Sequence, residues 1–179
     1  MKKGRKERSS GLVLTDDNVS NMKQIIGQYK NVLVCGMVGV GKIINTVSAL
    51  QEHSDVFYIG NPVDYEGKQR PGSYEKYLAY ITSLKQDLKV VDAMEDLFSV
   101  TSSIFVIIDE IYGRSKKQLE QIGRLLDMQN IRCIQIVGCV KYMGELINKI
   151  DIIVVLEQSG AFTIDKEFGK AICKVLGRN

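Results

Sequence analysis

Five short apolar runs, rich in β-branched residues, are separated along the chain by longer amphipathic stretches. The runs cover residues 31–35, 56–59, 104–108, 131–137 and 152–156. Their nearly unbroken apolar character is typical of strands buried on both faces, as in a parallel sheet covered by helices. Helical spacing is found at 16–29, 42–53, 73–98, 115–129, 140–149 and 165–176. This alternation predicts an α/β fold of three layers, with a mostly parallel five-stranded sheet flanked by helices.

The length of 179 residues fits one globular domain, and the net charge of +3 is unevenly placed. The first ten residues carry five basic side chains against one acidic side chain, so the remaining residues sum to −1. We therefore predict a flexible basic arm over 1–14 and a single domain over 15–179. Such an arm either contacts nucleic acid or an anionic membrane, or is simply a solvated terminus. Its basic residues are Lys2, Lys3, Arg5, Lys6 and Arg8.

Several classes of protein are excluded by composition. No apolar run approaches the roughly 18 residues of a membrane-spanning helix, and the apolar stretch at 12–14 is too short for a signal peptide. We therefore expect a cytoplasmic protein, or a virion-associated one if the chain is viral. The single histidine, His53, excludes a multi-histidine metal site. The four cysteines form no CxxC pair, so neither a zinc site nor a redox pair is indicated. Three of them lie in or beside apolar segments, where a buried reduced thiol is the favoured interpretation.

A glycine-rich segment, GMVGVGKI, lies between the first predicted strand and the following helix. Glycines let backbone N–H groups curl around an anion, and the helix N-terminus adds partial positive charge. Lys42 is placed to reach the outer phosphates of a nucleotide. The segment predicts a phosphate-binding loop made of Gly36, Met37, Val38, Gly39, Val40, Gly41, Lys42 and Ile43.

One position of this loop departs from the usual pattern. A serine or threonine normally follows the lysine, and its hydroxyl binds magnesium, but here the residue is Ile43. Thr46 lies one helical turn further on and is expected to point elsewhere. Phosphate binding is compatible with the change, because the N–H groups and Lys42 remain. Tight magnesium binding and rapid hydrolysis are not favoured.

A second motif, IFVIIDE, ends the third predicted strand with two adjacent carboxylates. Asp109 would hold magnesium, directly or through water, and Glu110 would orient or deprotonate an attacking water. The alternative is a strand that simply ends in polar surface residues. The distance of sixty-odd residues from the glycine-rich loop, with one strand between them, favours the functional interpretation.

With these two motifs, the chain resembles the P-loop NTPases over nearly its whole body. Within this group, the adjacent Asp-Glu pair and the order of the motif-bearing strands resemble one division of the family. In that division an additional strand lies between the two strands that carry the motifs. It includes RecA-like motors, AAA+ proteins and DNA translocases. The resemblance implies ATP and Mg²⁺ as cofactors. It also implies the strand order 5-1-4-3-2, counting the five predicted strands along the chain.

The region 104–156 further resembles the FtsK–HerA-type DNA translocases and the viral genome-packaging ATPases. In those families a strand after the Asp-Glu pair ends in a polar sensor, often glutamine. Here the strand ends Val137-Gly138-Cys139, and Gln135 comes too early. The opening 15–36 also resembles secretion and pilus-assembly ATPases, although their histidine-containing segment is absent.

Motors of this kind work as rings, so the resemblance implies a homo-oligomer with an arginine of one subunit against the nucleotide of the next. Arg114 is the preferred candidate because it lies four residues after Glu110. The other candidates are Arg124 and Arg132, with Lys68 and Arg70 on the loop at 60–72. A solvated surface charge is the alternative for each of them. That loop follows the second strand and should emerge at the carboxyl edge of the sheet.

Other motifs carry less weight. NKID at 148–151 and DxxG at 64–67 match guanine-binding motifs, but NKID precedes a strand instead of following one, so a GTPase is not favoured. A small-molecule kinase is a further alternative of low weight. The apolar set at helical spacing is expected to be core or a subunit contact; its members are Tyr74, Tyr77, Leu78, Ile81 and Leu84. The segment 160–179 is expected to add an edge strand and a closing helix.

Together these features predict an ATP-binding, slowly hydrolysing motor-type ATPase that moves or packages nucleic acid. The rival prediction is a degenerate P-loop protein that acts as a non-catalytic assembly module.

Overall fold

The computed structural model describes residues 18–37, 39–63, 68, 72–157, 160–164 and 167. The basic arm, Val38, Arg70, the DxxG segment and the predicted helix at 165–176, apart from residue 167, lie outside these residues. Within the described part of the chain, no helix is both long and apolar enough to cross a membrane.

A single seven-stranded sheet contains all the described strands. The strands are β1 Asn31–Gly36, β2 Val56–Ile59, β3 Lys89–Val90, β4 Ile104–Asp109, β5 Ile131–Val137, β6 Ile152–Glu157 and β7 Gly160–Ile164. They are arranged in the order β3-β2-β4-β5-β1-β6-β7. Six strands run parallel, and β7 pairs antiparallel with β6.

The five strands predicted from the apolar runs have the order expected from the resemblance, because β6, β1, β5, β4 and β2 are consecutive neighbours. The predicted strand count was wrong, since β3 extends the parallel sheet to six. Strand β3 is only two residues long, and both Lys89 and Val90 are exposed. It pairs with β2 without any apolar run to reveal it. The expected edge strand in 160–179 is confirmed as β7.

The helices are α1 Asn18–Gln28, α2 Lys42–Ala49, α3 Ser73–Leu84 and α4 Lys116–Asp127. Helix α4 begins where expected because Ser115 and Gln118 form a reciprocal capping box. The single helix predicted over 73–98 was wrong. The chain turns extended at Lys85, forms β3, and then forms a 3₁₀ segment at Met94–Ser99. The stretch Val140–Lys149 is also 3₁₀, interrupted by Gly144 with φ 51° and ψ −132°.

Alternate residues of each central strand face opposite layers of the core. In β1, Val32 and Val34 pack with the layer of α1, α2 and α3, whereas Leu33 and Cys35 pack with the layer of α4 and the 3₁₀ segments. Helices therefore cover both faces of the sheet. This three-layer α/β arrangement confirms the predicted fold class and leaves the carboxyl edge of the parallel strands open for a site.

Candidate functional site

A cleft of about 630 Å³ opens at the carboxyl edge of the parallel strands. One wall is the start of α2, from Gly41 to Ile44, and the opposite wall is the first half of α3. Asp109 and Ile136 line the cleft between these walls, and Glu110 also borders it. The structure thus brings the glycine-rich loop and the Asp-Glu pair, which are distant in sequence, into one cavity.

The glycines of the loop occupy backbone conformations that other residues adopt poorly. Gly36 has φ 146°, and a Cβ atom added there would lie 2.3 Å from the carbonyl oxygen of Leu156 on β6. Gly39 and Gly41 have φ of 85° and 81°, in the left-handed region. Gly41 is the residue that leads into α2. Gly36 is therefore required by close packing against β6, whereas Gly39 and Gly41 are required by the turn itself.

Lys42 folds back over the loop that precedes it. Its Nζ donates hydrogen bonds to the carbonyl oxygens of Gly36, at 2.8 Å, and Met37, at 2.9 Å. The side chain lines the cleft, and its charge acts on the carboxyl of Asp109. An anion in the loop could replace the two carbonyl acceptors, because an ammonium bonds more strongly to a charged oxygen than to a neutral one.

Neither Ile43 nor Thr46 on α2 presents a side-chain oxygen to the cleft. Ile43 lines the cleft and offers no oxygen. Thr46 is fully buried, and its hydroxyl donates to the carbonyl oxygen of Lys42 at 2.8 Å. The prediction that Thr46 points elsewhere is confirmed.

Asp109 is the most buried acid of the cleft, with only 7% of its surface exposed. Its Oδ2 accepts hydrogen bonds from the hydroxyls of Tyr58, at 2.7 Å, and Tyr77, at 2.9 Å. Burial raises the pKa of Asp109, and the two phenols, Arg114 and Lys42 oppose that rise. The same burial raises the pKa of Tyr58 and of Tyr77, so both phenols are hydrogen-bond donors at neutral pH.

The tyrosines of α3 correct one sequence prediction. Ile81 is fully buried, and Leu78 and Leu84 pack against the core, as expected. Tyr74 and Tyr77 instead line the cleft, together with Tyr80. The leucines and the isoleucine have the same helical spacing as the tyrosines. Only the phenol hydroxyls of the tyrosines indicated that these side chains would line a polar cleft.

Glu110 follows Asp109 in a strained conformation, with φ 43°. Its backbone N–H donates to the carbonyl oxygen of Ile136 at 2.8 Å, and its Oε2 accepts from the N–H of Gly138 at 3.0 Å. The end of β5 therefore fixes the direction of the Glu110 carboxylate. Strain of this kind persists only where the surroundings hold the residue in place.

Arg114 contacts backbone at the ends of two strands. Its guanidinium donates to the carbonyl oxygens of Glu110 at 2.9 Å, Asp109 at 2.9 Å and Gly60 at 3.0 Å. Burial lowers the pKa of Arg114, and the charge of Asp109 opposes that change. The side chain thus joins the end of β2 to the end of β4. This differs from the predicted contact with the nucleotide of a neighbouring subunit, which stays a prediction.

Asn61 makes a second connection between the same two loops. Its Nδ2 donates to the carbonyl oxygen of Tyr112 at 2.8 Å, and its Oδ1 accepts from the N–H of Val63 at 3.3 Å. The loop after β2 was expected at the carboxyl edge of the sheet, and its described beginning lies there. The pattern of residues offered no indication that Asn61 would hold it to the turn after β4.

Gln135 lies away from the cleft, as its early position in the strand predicts. It is completely buried, and its Nε2 donates to the carbonyl oxygen of Ile108 at 3.2 Å. Its side chain is on the layer of Cys133 and Val137, whereas Asp109 faces the opposite layer. Gln135 therefore supplies no sensor to the site.

The NKID segment lies at the opposite edge of the sheet. Oδ2 of Asp151 accepts from the N–H of Asn31, at the start of β1, at 2.8 Å. The glycine-rich loop begins at the other end of this strand, roughly 16 Å away at the usual rise per residue. This placement keeps the segment away from the glycine-rich loop, and the expectation that it is not a guanine-binding motif stays a prediction.

Two of the cysteines are buried thiols in the core, whereas Cys139 is partly exposed. Cys35 and Cys133 are buried, and burial raises the pKa of each to about 12. Cys173 lies outside the described residues. Among the residues that are described, no group of three or more His, Cys, Asp or Glu side chains is placed to hold a metal ion.

A scan against models of protein families found no match, and a search of curated proteins found no significant relative.

Proposed function

We propose that the chain is a P-loop nucleotide-binding protein whose cleft binds ATP and hydrolyses it slowly. The observation that carries the proposal is the meeting of Lys42 and its glycine-rich loop with Asp109 and Glu110 in one cleft at the carboxyl edge. A loop of this shape is a ready anion site, because N–H groups and a helix N-terminus converge there.

In this proposal the phosphates lie in the loop and draw Lys42 away from the carbonyl oxygens of Gly36 and Met37. The lysine then neutralises the outer phosphate. Glu110 is the group that accepts a proton from an attacking water, because its carboxylate is held at the border of the same cleft by Gly138. Arg114 and Asn61 are positioning residues that hold the backbone of the Asp-Glu turn.

Turnover is expected to be slow because the donor set fits Mg²⁺ poorly. Ile43 replaces the usual hydroxyl, the hydroxyl of Thr46 is directed at Lys42, and Oδ2 of Asp109 already accepts two hydrogen bonds. Mg²⁺ was expected from the sequence resemblance alone, and these contacts do not favour it.

Assembly into a ring and the movement or packaging of nucleic acid belong to the proposal through sequence resemblance only. The basic arm is the segment expected to contact nucleic acid. A secretion or pilus-type ATPase is the alternative within the same division.

The binding part of the proposal is tested by measuring ATP affinity of the wild type and of Lys42→Ala. We expect at least a tenfold loss of affinity, roughly the 1.4 kcal/mol or more of a charge-assisted contact. Lys116→Ala is the matched control, because that lysine lies on α4 and its side chain is 93% exposed. Equal affinity of Lys42→Ala and wild type would exclude this binding site.

The catalytic part is tested by ATP turnover with and without double-stranded DNA. Turnover that rises with DNA and disappears in Glu110→Gln would support a nucleic-acid motor. Turnover that is unchanged in Glu110→Gln would remove this residue from the catalytic role.

A non-catalytic assembly module is the second candidate, and the two tyrosine hydrogen bonds to Asp109 favour it. Here nucleotide would serve as a structural ligand. The discriminating result is ATP binding that needs Lys42 together with no turnover at concentrations high enough for assembly.

A further inference from the structure

We infer that the cleft binds the phosphates of its nucleotide without help from a divalent cation, and that Tyr58 and Tyr77 keep Asp109 from serving as a cation ligand. The inference rests on the proposed nucleotide binding and adds a property to the same site. The carboxylate at the end of β4 would then be a hydrogen-bonded part of the cleft wall.

A magnesium ion in a nucleotide site needs six oxygen ligands at near-ideal octahedral geometry, drawn from phosphates, waters and one or two protein groups. On the α2 side of the cleft, the chain presents the hydrocarbon side chain of Ile43. The nearest hydroxyl on that helix, at Thr46, is buried and bonded to the carbonyl oxygen of Lys42. That wall therefore contributes no side-chain oxygen at these two positions.

On the β4 side, the phenols occupy the carboxylate. Both hydroxyls donate to the same oxygen, Oδ2, at 2.7 and 2.9 Å. A cation on Oδ2 would have to displace both hydroxyl groups from that oxygen. Tyr58 is completely buried, so its hydroxyl would lose its partner without gaining water, which carries the full desolvation penalty of a buried donor.

Two further polar side chains that line the cleft are also bonded to the protein. Oε2 of Glu110 accepts from the N–H of Gly138. Both ends of the Asn61 amide are bonded, to Tyr112 and to Val63. From Asp109 a cation would have only Oδ1 without displacing a tyrosine, on a residue that is only 7% exposed.

The positive charge that phosphates require is already present beside the loop. Nζ of Lys42 is held within hydrogen-bond distance of two loop carbonyls, and it acts electrostatically on Asp109. With the N–H groups of the glycine-rich loop, this lysine can meet an anion directly.

The test is the equilibrium affinity of the full chain for ATP, measured in EDTA and in excess MgCl₂. For the wild type we expect affinities that agree within about threefold. The double variant Ile43→Thr/Tyr77→Phe restores a hydroxyl and removes one phenol, and we expect it to bind about tenfold more tightly with Mg²⁺ than without. Ile43→Thr/Tyr80→Phe is the matched control, because Tyr80 is on the same helix and lines the same cleft but does not bond to Asp109. It is expected to gain less than the Tyr77 variant.

Three results are informative in different ways. Wild-type binding that is tenfold or more tighter with Mg²⁺ would overturn the inference while leaving nucleotide binding in place. Equal gains in the two double variants would overturn the role of Tyr77. Absence of ATP binding under both conditions would overturn the proposed function, and the inference with it.

Discussion

The hydroxyl of Tyr77 donates to Oδ2 of Asp109 at 2.9 Å and so joins α3 to the end of β4 across the floor of the cleft. The hydroxyl of Tyr58 donates to the same oxygen from β2. The sequence suggested the carboxylate of Asp109 as a metal ligand. In the structure, Tyr58 and Tyr77 include it in a buried hydrogen-bonded network. Networks of this kind hold a site rigid when every member is satisfied.

Replacement of Asp109 by asparagine is expected to raise stability, and more so at high pH. The pKa of Asp109 is raised by burial, so its protonation favours the folded state. The stability contributed by the protonated acid is full at low pH and is lost as pH rises through the folded-state pKa. Asparagine is neutral at every pH and still offers an oxygen to the tyrosines.

We therefore expect Asp109→Asn to melt a few degrees above the wild type at about pH 8, at roughly 2–4 °C per kcal/mol for a chain of this length. The difference should shrink at about pH 5. Thermal melts in EDTA measure both. A difference that does not depend on pH would contradict the buried-charge explanation.

Gly36→Ala is expected to destabilise the fold by roughly 2–4 kcal/mol, because the new Cβ would meet a backbone carbonyl of β6 that cannot move freely. Urea unfolding gives the free-energy change. Gly27→Ala is the control, since a Cβ there has nothing within 4 Å in α1. The control should be neutral or slightly stabilising, by up to about 1 kcal/mol. Similar losses in both variants would show that the packing against Leu156 is not the cause.

Gly60→Ala is expected to displace Tyr74, because an added Cβ would lie 2.0 Å from its hydroxyl oxygen and 2.9 Å from its ring carbon Cζ. We expect a loss of about 1–3 kcal/mol, typical of overpacking. Tyr74→Phe in the same chain removes the closest atom and should restore part of that stability. A double-mutant cycle by urea unfolding measures the coupling, and strict additivity of the two changes would contradict the contact.

Arg114→Met is expected to lower both stability and ATP affinity, because three strand-end carbonyl oxygens lose their donor. The free energy of unfolding should fall by about 2–4 kcal/mol, because several charge-assisted hydrogen bonds are lost at a partly buried position. Arg114→Lys should recover only part, since an ammonium cannot match the planar fork. Arg124→Met is the control. Arg124 lies on α4, and its guanidinium stacks on the ring of Phe98 at 4.0 Å. A fully stable Arg114→Met variant would remove the positioning role.

Much of the sheet was predictable because a strand buried on both faces has an apolar local sequence. The runs that form β1, β2, β4, β5 and β6 are apolar throughout, as burial on two faces requires. Strand β3 was missed because its two exposed residues, Lys89 and Val90, form no apolar run. They pair with β2 only because α3 ends before them, at Leu84. The 3₁₀ segments escaped prediction because their apolar spacing is similar to that of an α-helix.

The sequence by itself determined the groups whose roles depend on local backbone. The glycines at 39 and 41 are needed wherever the chain makes this turn, and Lys42 and Asp109-Glu110 follow at fixed steps from the strands that carry them. The tertiary structure alone decided what surrounds those groups. Tyr77 lies 32 positions from Asp109, and Gly60 lies 54 positions from Arg114. Contacts at such separations arise only when sheet order and helix packing bring distant segments together, and no local pattern of residue types records them.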